Sequence, residues 1–359
     1  MRFLLALVLS FEISYSAAAA TVKAVDAVDN GPVTGAAVFT ASGAIIGMTD
    51  DKGEIEISDS RAWPILIRCL GYEPATCDSY RSTVSLQPET YQLHEVVVTP
   101  VDRPVTRILC YFREYISVAT VSDTITYFNE HMGDFFTTET KVKGFKAPRS
   151  PRFVLSRLYA RKSDNKGLDS IFRPDYRDDT FAWEGMLQMP RGRVEINERI
   201  AAGANADTVA GKYGIKSLTR KNGNLLTTRI DHLADSKNHV MSPFLFKMLG
   251  LTIDFTELQG AWIVNAGDRD TYAASDVISG TFSLKAIAKG KWFKKAFETD
   301  SPVEVYTYYE IYPVDIEHLT AAEAKEMLDT EPSGVRMHRS PLAPPLSPSC
   351  RRMVDYLDK

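Results

Sequence analysis

Gly47-Met48-Thr49-Asp50-Asp51-Lys52-Gly53-Glu54-Ile55-Glu56-Ile57 carries the logic of a small β domain in one short stretch. Asp50-Asp51-Lys52-Gly53 is a turn in which Gly53 supplies the positive φ that other residues resist. Glu54-Ile55-Glu56-Ile57 then alternates polar and apolar at the period of a strand. Working outward, Pro64-Ile65-Leu66-Ile67 reads as a buried strand. Ala36, Val38 and Thr40 mark another, closed by Ser42-Gly43, and Val22 and Ala24 a third, ended by Asn30-Gly31-Pro32. From Thr21 to Leu86 the pattern is therefore a sandwich of short strands, with Val22, Val38, Ile55, Ile57, Ile65, Ile67 and Leu86 expected in its core.

These residues resemble a known family. Val25-Asp26, Gly31-Pro32, Gly35-Ala36-x-Val38, Gly47-x-Thr49-Asp50, Gly53-x-Ile55-x-Ile57, Gly71-Tyr72 and Val84-x-Leu86 follow the order and approximate spacing of the carboxypeptidase regulatory-like domain. That resemblance implies a seven-stranded, transthyretin-like β-sandwich. Leu93-His94-Glu95-Val96-Val97-Val98-Thr99 resembles the segment that follows this domain in surface receptors of Bacteroidetes-type bacteria, near the TonB box. The likeness covers residues 21–99 and leaves the remainder unassigned.

The N-terminus adds a compartment. Arg2 precedes an apolar run from Phe3 to Phe11, and Ala18-Ala19-Ala20 supplies small residues for cleavage, so 1–20 reads as a signal peptide. The run is too short to span a membrane, and no later stretch offers the apolar length of a spanning helix. The expected localisation is exported, periplasmic or associated with the outer membrane. With 44% hydrophobic and 25% charged residues the chain can bury a sizeable core, and its net charge of −4 disfavours non-specific nucleic-acid binding. Cys69, Cys77, Cys110 and Cys350 match no disulfide scaffold or zinc spacing; Cys69 and Cys77 are near enough to pair across a turn, or are small residues of neighbouring strands.

The organisation that follows is a sandwich at 21–90, a linker at 91–104, a second β-rich α+β domain at 105–330 and a Pro-rich tail at 331–359. Tyr111-Phe112-Arg113-Glu114-Tyr115 and Thr124-Ile125-Thr126-Tyr127-Phe128 read as a hairpin. Further strands are expected between Leu225 and Ile311, including Ala261–Val264, Gly280–Leu284 and Val303–Tyr312. Ala201 to Ile215 reads as a short helix or loop. Thr320 caps a helix over Ala321–Leu328, with Glu323 completing a capping box. Pro341, Pro344, Pro345 and Pro348 favour an extended or disordered tail. A 22-stranded receptor barrel needs about 220 residues for its strands alone, so 100–330 reads as a soluble, mostly β domain.

The motifs argue against catalysis. A zinc peptidase needs three protein ligands, and none of His94, His131, His232, His239, His318 and His338 opens a His-x-x-Glu pair. His131-x-x-Asp134 and His232-x-x-Asp235 read as ordinary surface pairs, and there is no Gly-x-Ser-x-Gly elbow, Walker loop or dinucleotide fingerprint. No catalytic residue, cofactor or metal is assigned. The expectation is a non-catalytic exported envelope protein that binds or scaffolds, with the sandwich as docking module and a link to nutrient uptake or outer-membrane assembly. Its expected partners are envelope proteins or a glycan. Glu95, Val96, Val97, Val98 and Thr99 are the candidate docking strand. Lys141, Lys143, Lys146, Arg149 and Arg152, continued by Arg157, Arg161 and Lys162, are a candidate contact for an anionic surface and so for peripheral membrane contact. The alternatives are a hydrolase of peptides or glycans with its site in 105–330, and a purely structural envelope component.

Overall fold

The computed structural model describes residues 20–58, 63–91, 102–164, 169–174, 187–210, 216–233 and 251–358. Residues 1–19, and with them most of the signal segment, lie outside the described residues, as does the docking strand Glu95–Thr99.

The N-terminal unit is a two-sheet sandwich of seven strands: β1 (Ala20–Asp26), β2 (Ala37–Thr40), β3 (Ile45–Met48), β4 (Glu54–Ile57), β5 (Ile65–Arg68), β6 (Ala75–Cys77) and β7 (Thr83–Leu86). One sheet has the order β4-β1-β7 and the other β3-β2-β5-β6. Gly53 takes φ +76°, and a Cβ there would stand 2.5 Å from the Ala24 carbonyl oxygen, so both conformation and space demand glycine. Asp50 ties the same turn by accepting from the Lys52 and Glu54 amides at 2.9 and 2.8 Å. All seven expected core residues are buried. Cys69 and Cys77 belong to this core as free thiols, and the other two cysteines are also free and buried.

The second unit is one ten-stranded antiparallel sheet. Its strands are β8 (Val105–Ala119), β9 (Asp123–Thr138), β10 (Arg152–Asp164), β11 (Asp169–Phe172), β13 (Ala206–Ala210), β14 (Lys216–Asn222), β15 (Leu225–Asp231), β16 (Leu251–Asn265), β18 (Val277–Gly290) and β19 (Val303–Leu319). Their order is β11-β10-β9-β8-β19-β18-β16-β15-β14-β13, while β12 (Val194–Glu195) and β17 (Thr271–Tyr272) pair separately. The expected aromatic hairpin is β8–β9, but it extends well beyond the aromatic runs, with β8 paired to β9 from Val105↔Thr138 to Ala119↔Thr124. These central strands are buried almost continuously, so both faces of the sheet are covered.

Successive side chains point to opposite faces, and each face has its own cover. On the first, Tyr115, Phe128, Tyr159, Tyr306 and Tyr308 pack with Ala37, Phe39 and Ile45 of the sandwich. On the second, Phe112, Phe135, Phe282, Leu284, Tyr309 and Ile311 pack with Leu187, Met189 and Ile200. Four α-helices lie among the described residues: α1 (Glu198–Ala201), α2 (Lys291–Phe297), α3 (Ala321–Asp329) and α4 (Pro348–Leu357). α3 carries the expected capping box between Thr320 and Glu323. Residues 201–215 hold the end of α1 and strand β13, and 211–215 lie outside the described residues.

The C-terminal segment departs from a free tail. Val335, Met337, Leu342 and Ala343 pack on Tyr111, Met132 and Tyr312. The chain then enters α4, where Pro348 opens the helix and the Ser347 hydroxyl accepts from the Cys350 amide. A proline is unfavourable inside a helix but suits its first position, and so the same composition ends one segment and starts another. Cys350, Met353 and Val354 of α4 join the aromatic cluster on the first face. No helix among the described residues is long and apolar enough to cross a membrane.

One half-buried carboxylate on β16 makes stability depend on pH. Glu257 follows a bulge, its Oε1 has no hydrogen-bond partner among the described residues, and burial pushes its pKa from the ordinary 4.5 up to about 7. The folded protein therefore holds a proton that the unfolded chain releases. Its contribution is full below pH 4.5 and is lost as pH rises through about 7. Glu257→Gln should remove this dependence and stabilise the protein at pH 8 by on the order of 2 kcal/mol, allowing for partial exposure. Urea denaturation at pH 5 and pH 8 checks it: equal shifts of the midpoint at both pH values would contradict the assignment.

Candidate functional site

Where sandwich, long sheet and α4 meet, charged side chains enter an aromatic interior. Arg68 ends β5 and points out of the sandwich into the sheet, where its Nη2 lies 2.5 Å from Glu310 Oε1 on β19. Both side chains are sealed, at 3% and 4% exposure. Arg113, the cross-strand partner of Glu310, is 3.8 Å from the other carboxylate oxygen and donates to Tyr111 Oη at 3.1 Å and to the Pro344 carbonyl at 2.5 Å. Tyr111 in turn donates to Glu130 at 2.5 Å, and Arg339 from the C-terminal segment grips Glu130 with two bonds of 2.7 Å. The chain Arg68–Glu310–Arg113–Tyr111–Glu130–Arg339 thus fastens the sandwich, the sheet and the C-terminal segment together.

Burial works against the Arg68 charge, but Glu310 offsets it, with the neighbouring tyrosines, and holds the guanidinium above its ordinary range. Burial likewise drives Tyr115, Tyr308 and Tyr312 well up, so these phenols stay neutral. Arg68 Nε has no hydrogen-bond partner among the described residues. Its guanidinium also sits over the Tyr115 ring, 5.4 Å from the centroid.

Arg68 is also among the residues that line a cavity of about 270 Å³. Phe39, Ile65, Leu66 and Pro64 of the sandwich form one side, Tyr115 the floor, and Ser347 to Cys350 at the start of α4 the other side. Thr76 and Arg352 also line it, and both are exposed. Among its lining residues are two arginines and no carboxylate. Apolar walls of this kind favour an apolar body by desolvation, and an arginine beside them favours an anionic head. On the far side of Arg68, a cavity of about 20 Å³ beside Glu89, Tyr72 and Tyr91 has room for about one water.

The second face carries a separate polar line. Ser156 on β10 lies directly across from His131 on β9, and its Oγ is 2.8 Å from His131 Nδ1. His131 Nε2 is 3.4 Å from Glu114 Oε2 on β8, and the Asn129 side-chain amide donates to the same carboxylate oxygen.

The expected basic patch is divided by the structure. Lys141, Lys143, Lys146 and Arg149 lie exposed in the β9–β10 connection, whereas Arg152 turns inward, donating to the Met327 and Thr330 carbonyls and standing 3.4 Å from Asp134. Arg157 and Lys162 pair with Asp358 and Asp123, and Arg161 donates to the Ser42 carbonyl. His131-x-x-Asp134 is not a surface pair, since both are buried. On a strand the spacing sends them to opposite faces, and Asp134 meets Arg107 at 2.8 Å. Among the described residues no three His, Cys, Asp or Glu side chains come together as a metal site.

The sequence reading missed Arg68, Arg113, Glu310, Glu130 and Ser156. Arg113-Glu114 inside an aromatic strand was the available signal: consecutive charges on a strand face opposite ways, and between aromatic neighbours each must find a buried partner.

Compared with known proteins, the chain matches no family model and no curated sequence. Among solved structures it is similar to one titled for lipid-protein interactions in lipovitellin, at 8% identity and TM-score 0.31, over 60% of this chain and 25% of that one. It is also similar to a putative AttH from Nitrosomonas europaea, at 12% identity and TM-score 0.14, over 60% of this chain and 52% of that one. Likenesses this loose carry no argument about this chain.

Proposed function

We propose that this is an exported binding protein of the cell envelope that takes a small amphipathic anion, of the alkyl carboxylate class, between its sandwich and its long sheet. The observation that carries the reading is the cavity of about 270 Å³ with apolar walls, two arginines and no carboxylate among its lining residues. A dry cavity of 150 Å³ holds benzene, so this one suits a ligand of about ten non-hydrogen atoms, the size of octanoate. Affinity for a ligand that small is on the order of 100 μM. The sandwich is then the docking module because it supplies Arg68 and most of the apolar wall. A purely structural component has no use for such a cavity, and a glycan would leave its apolar walls unmatched.

Calorimetric titration of the full chain with octanoate tests this. Thr76→Trp, at an exposed position on the rim, should weaken binding at least about tenfold by occupying the mouth, a loss of about 1.4 kcal/mol. Equal affinity in parent and variant would place the ligand elsewhere.

A hydrolase with its site in 105–330 is favoured by one different observation, the Ser156–His131–Glu114 line on the opposite face.

A further inference from the structure

We infer that Ser156 is a nucleophile, activated by His131 and Glu114, that cleaves activated or short-chain carboxylic esters. This site is on the second face of the sheet and is independent of the anion cavity on the first.

Three adjacent strands present the parts in order. β10 offers Ser156, whose residue is exposed, while His131 on β9 and Glu114 on β8 are buried at 0% and 3% exposure. The hydroxyl is thus reachable from solvent and its base is not. With Nε2–H directed at Glu114, 3.4 Å away, the lone pair of His131 Nδ1 faces the Ser156 hydroxyl at 2.8 Å. Either ring nitrogen can serve as base, because what matters is that one receives the serine proton while the other is held by a carboxylate. The Asn129 amide fixes that carboxylate, and the Phe153 ring stacks on the imidazole at 4.6 Å and 19°. Asn129, Glu114 and Phe153 are positioning residues; Ser156 and His131 are the catalytic pair.

Two features of the backbone suit the same role. A bulge between Phe153 and Leu155 immediately precedes Ser156, the kind of irregularity that re-aims a side chain. Over residues 152–158, β10 pairs with β9 alone among the described residues, so its outer edge presents backbone N–H groups that can receive a developing oxyanion. Glu114 is buried beside a buried imidazole with its Oε1 lacking a hydrogen-bond partner among the described residues, a costly placement for a group of structural use alone.

In the reaction Ser156 Oγ bonds to the ester carbonyl carbon and its proton passes to His131 Nδ1. The bond to the leaving oxygen then breaks, and His131 returns the proton to that oxygen as the alcohol departs. Water adds to the acyl-serine, gives a proton to His131, and the acid leaves as Ser156 recovers its proton. Water is the one co-reactant.

The test uses the full chain with a fluorescently tagged fluorophosphonate, which phosphonylates an activated serine with loss of fluoride, and with p-nitrophenyl butyrate. A single adduct at Ser156, identified by peptide mass, is expected. Ser156→Ala, checked for an unchanged circular dichroism spectrum, should lose the adduct, and its ester hydrolysis should fall at least ~100-fold. Glu114→Gln should lower kcat while leaving KM near the parent value, which a structural role alone would not do. No adduct on the parent chain, or labelling and hydrolysis retained in Ser156→Ala, overturns the inference.

Discussion

Glu310→Leu lowers the stability of this protein by about 3–5 kcal/mol, because it strands the Arg68 guanidinium in a sealed aromatic interior. A buried ion pair contributes little over an apolar pair of the same size, since the desolvation of two charges consumes most of their attraction. Removing one partner is different: the remaining charge keeps its desolvation cost and loses its compensation. Arg68→Met in the same chain should therefore recover most of the loss. Arg113 limits the recovery to less than all of it, since it also stands 3.8 Å from Glu310, but it keeps its bonds to Tyr111 and Pro344. Denaturant midpoints of the parent, the two single variants and the double variant form the cycle that checks this. Additive losses would show that the two groups act through packing and not through each other.

Gly280→Ala has the next largest effect, a loss of about 3 kcal/mol. Gly280 on β18 pairs with Trp262 on β16, and the indole lies across the place where a side chain would be: a Cβ there would stand 2.2 Å from Trp262 Cζ3. The ring cannot retreat cheaply, because it packs against the cluster that covers the second face. Glycine is required here for space alone, as its φ is not in the left-handed range. In a Trp262→Leu background the same Gly280→Ala change should cost less than about 1 kcal/mol, since the smaller side chain leaves the volume open. A cost undiminished in that background would point to the strand itself.

The contrast between these positions shows what the sequence made legible. The sandwich is stabilised by local rules: a turn that needs Gly53, strands that alternate, and a self-contained core of Val22, Val38, Ile55, Ile57, Ile65, Ile67 and Leu86. Each rule acts over a few residues, so it can be read from a few residues. The capping box of α3 belongs to the same class. The long sheet was legible as strands but not as an arrangement, because β8 pairs with β19 across some 200 residues, and no local pattern encodes that pairing.

The candidate site fell between these. Arg68 follows Ile67 in a buried strand, and Glu310 follows three consecutive strand residues, Tyr308, Tyr309 and Thr307, that are themselves buried. Each charge is a local oddity, and its meaning appears only when the partner is known. Ser156 was less legible still, since Leu155-Ser156-Arg157-Leu158 has none of the glycine spacing that announces a serine nucleophile. Its partners come from two other strands. The basic run from Lys141 to Lys162 misled for the reverse reason: its charges are adjacent in sequence, but Arg152, Arg157, Arg161 and Lys162 each meet a partner within the fold.

The amphipathic anion we propose lies between the sandwich and the long sheet, with its head toward Arg68 and Arg352. The most direct measurement is photolabelling of the full chain with an octanoate-length carboxylate carrying a diazirine in its tail, followed by peptide mapping, with the matching alkyl ammonium probe as control. The carboxylate should label the peptides containing Ile65, Leu66 and Cys350, excess octanoate should suppress the label, and the ammonium probe should leave these peptides unlabelled. Equal labelling by the cationic probe, or label confined to peptides that do not line the cavity, would contradict it.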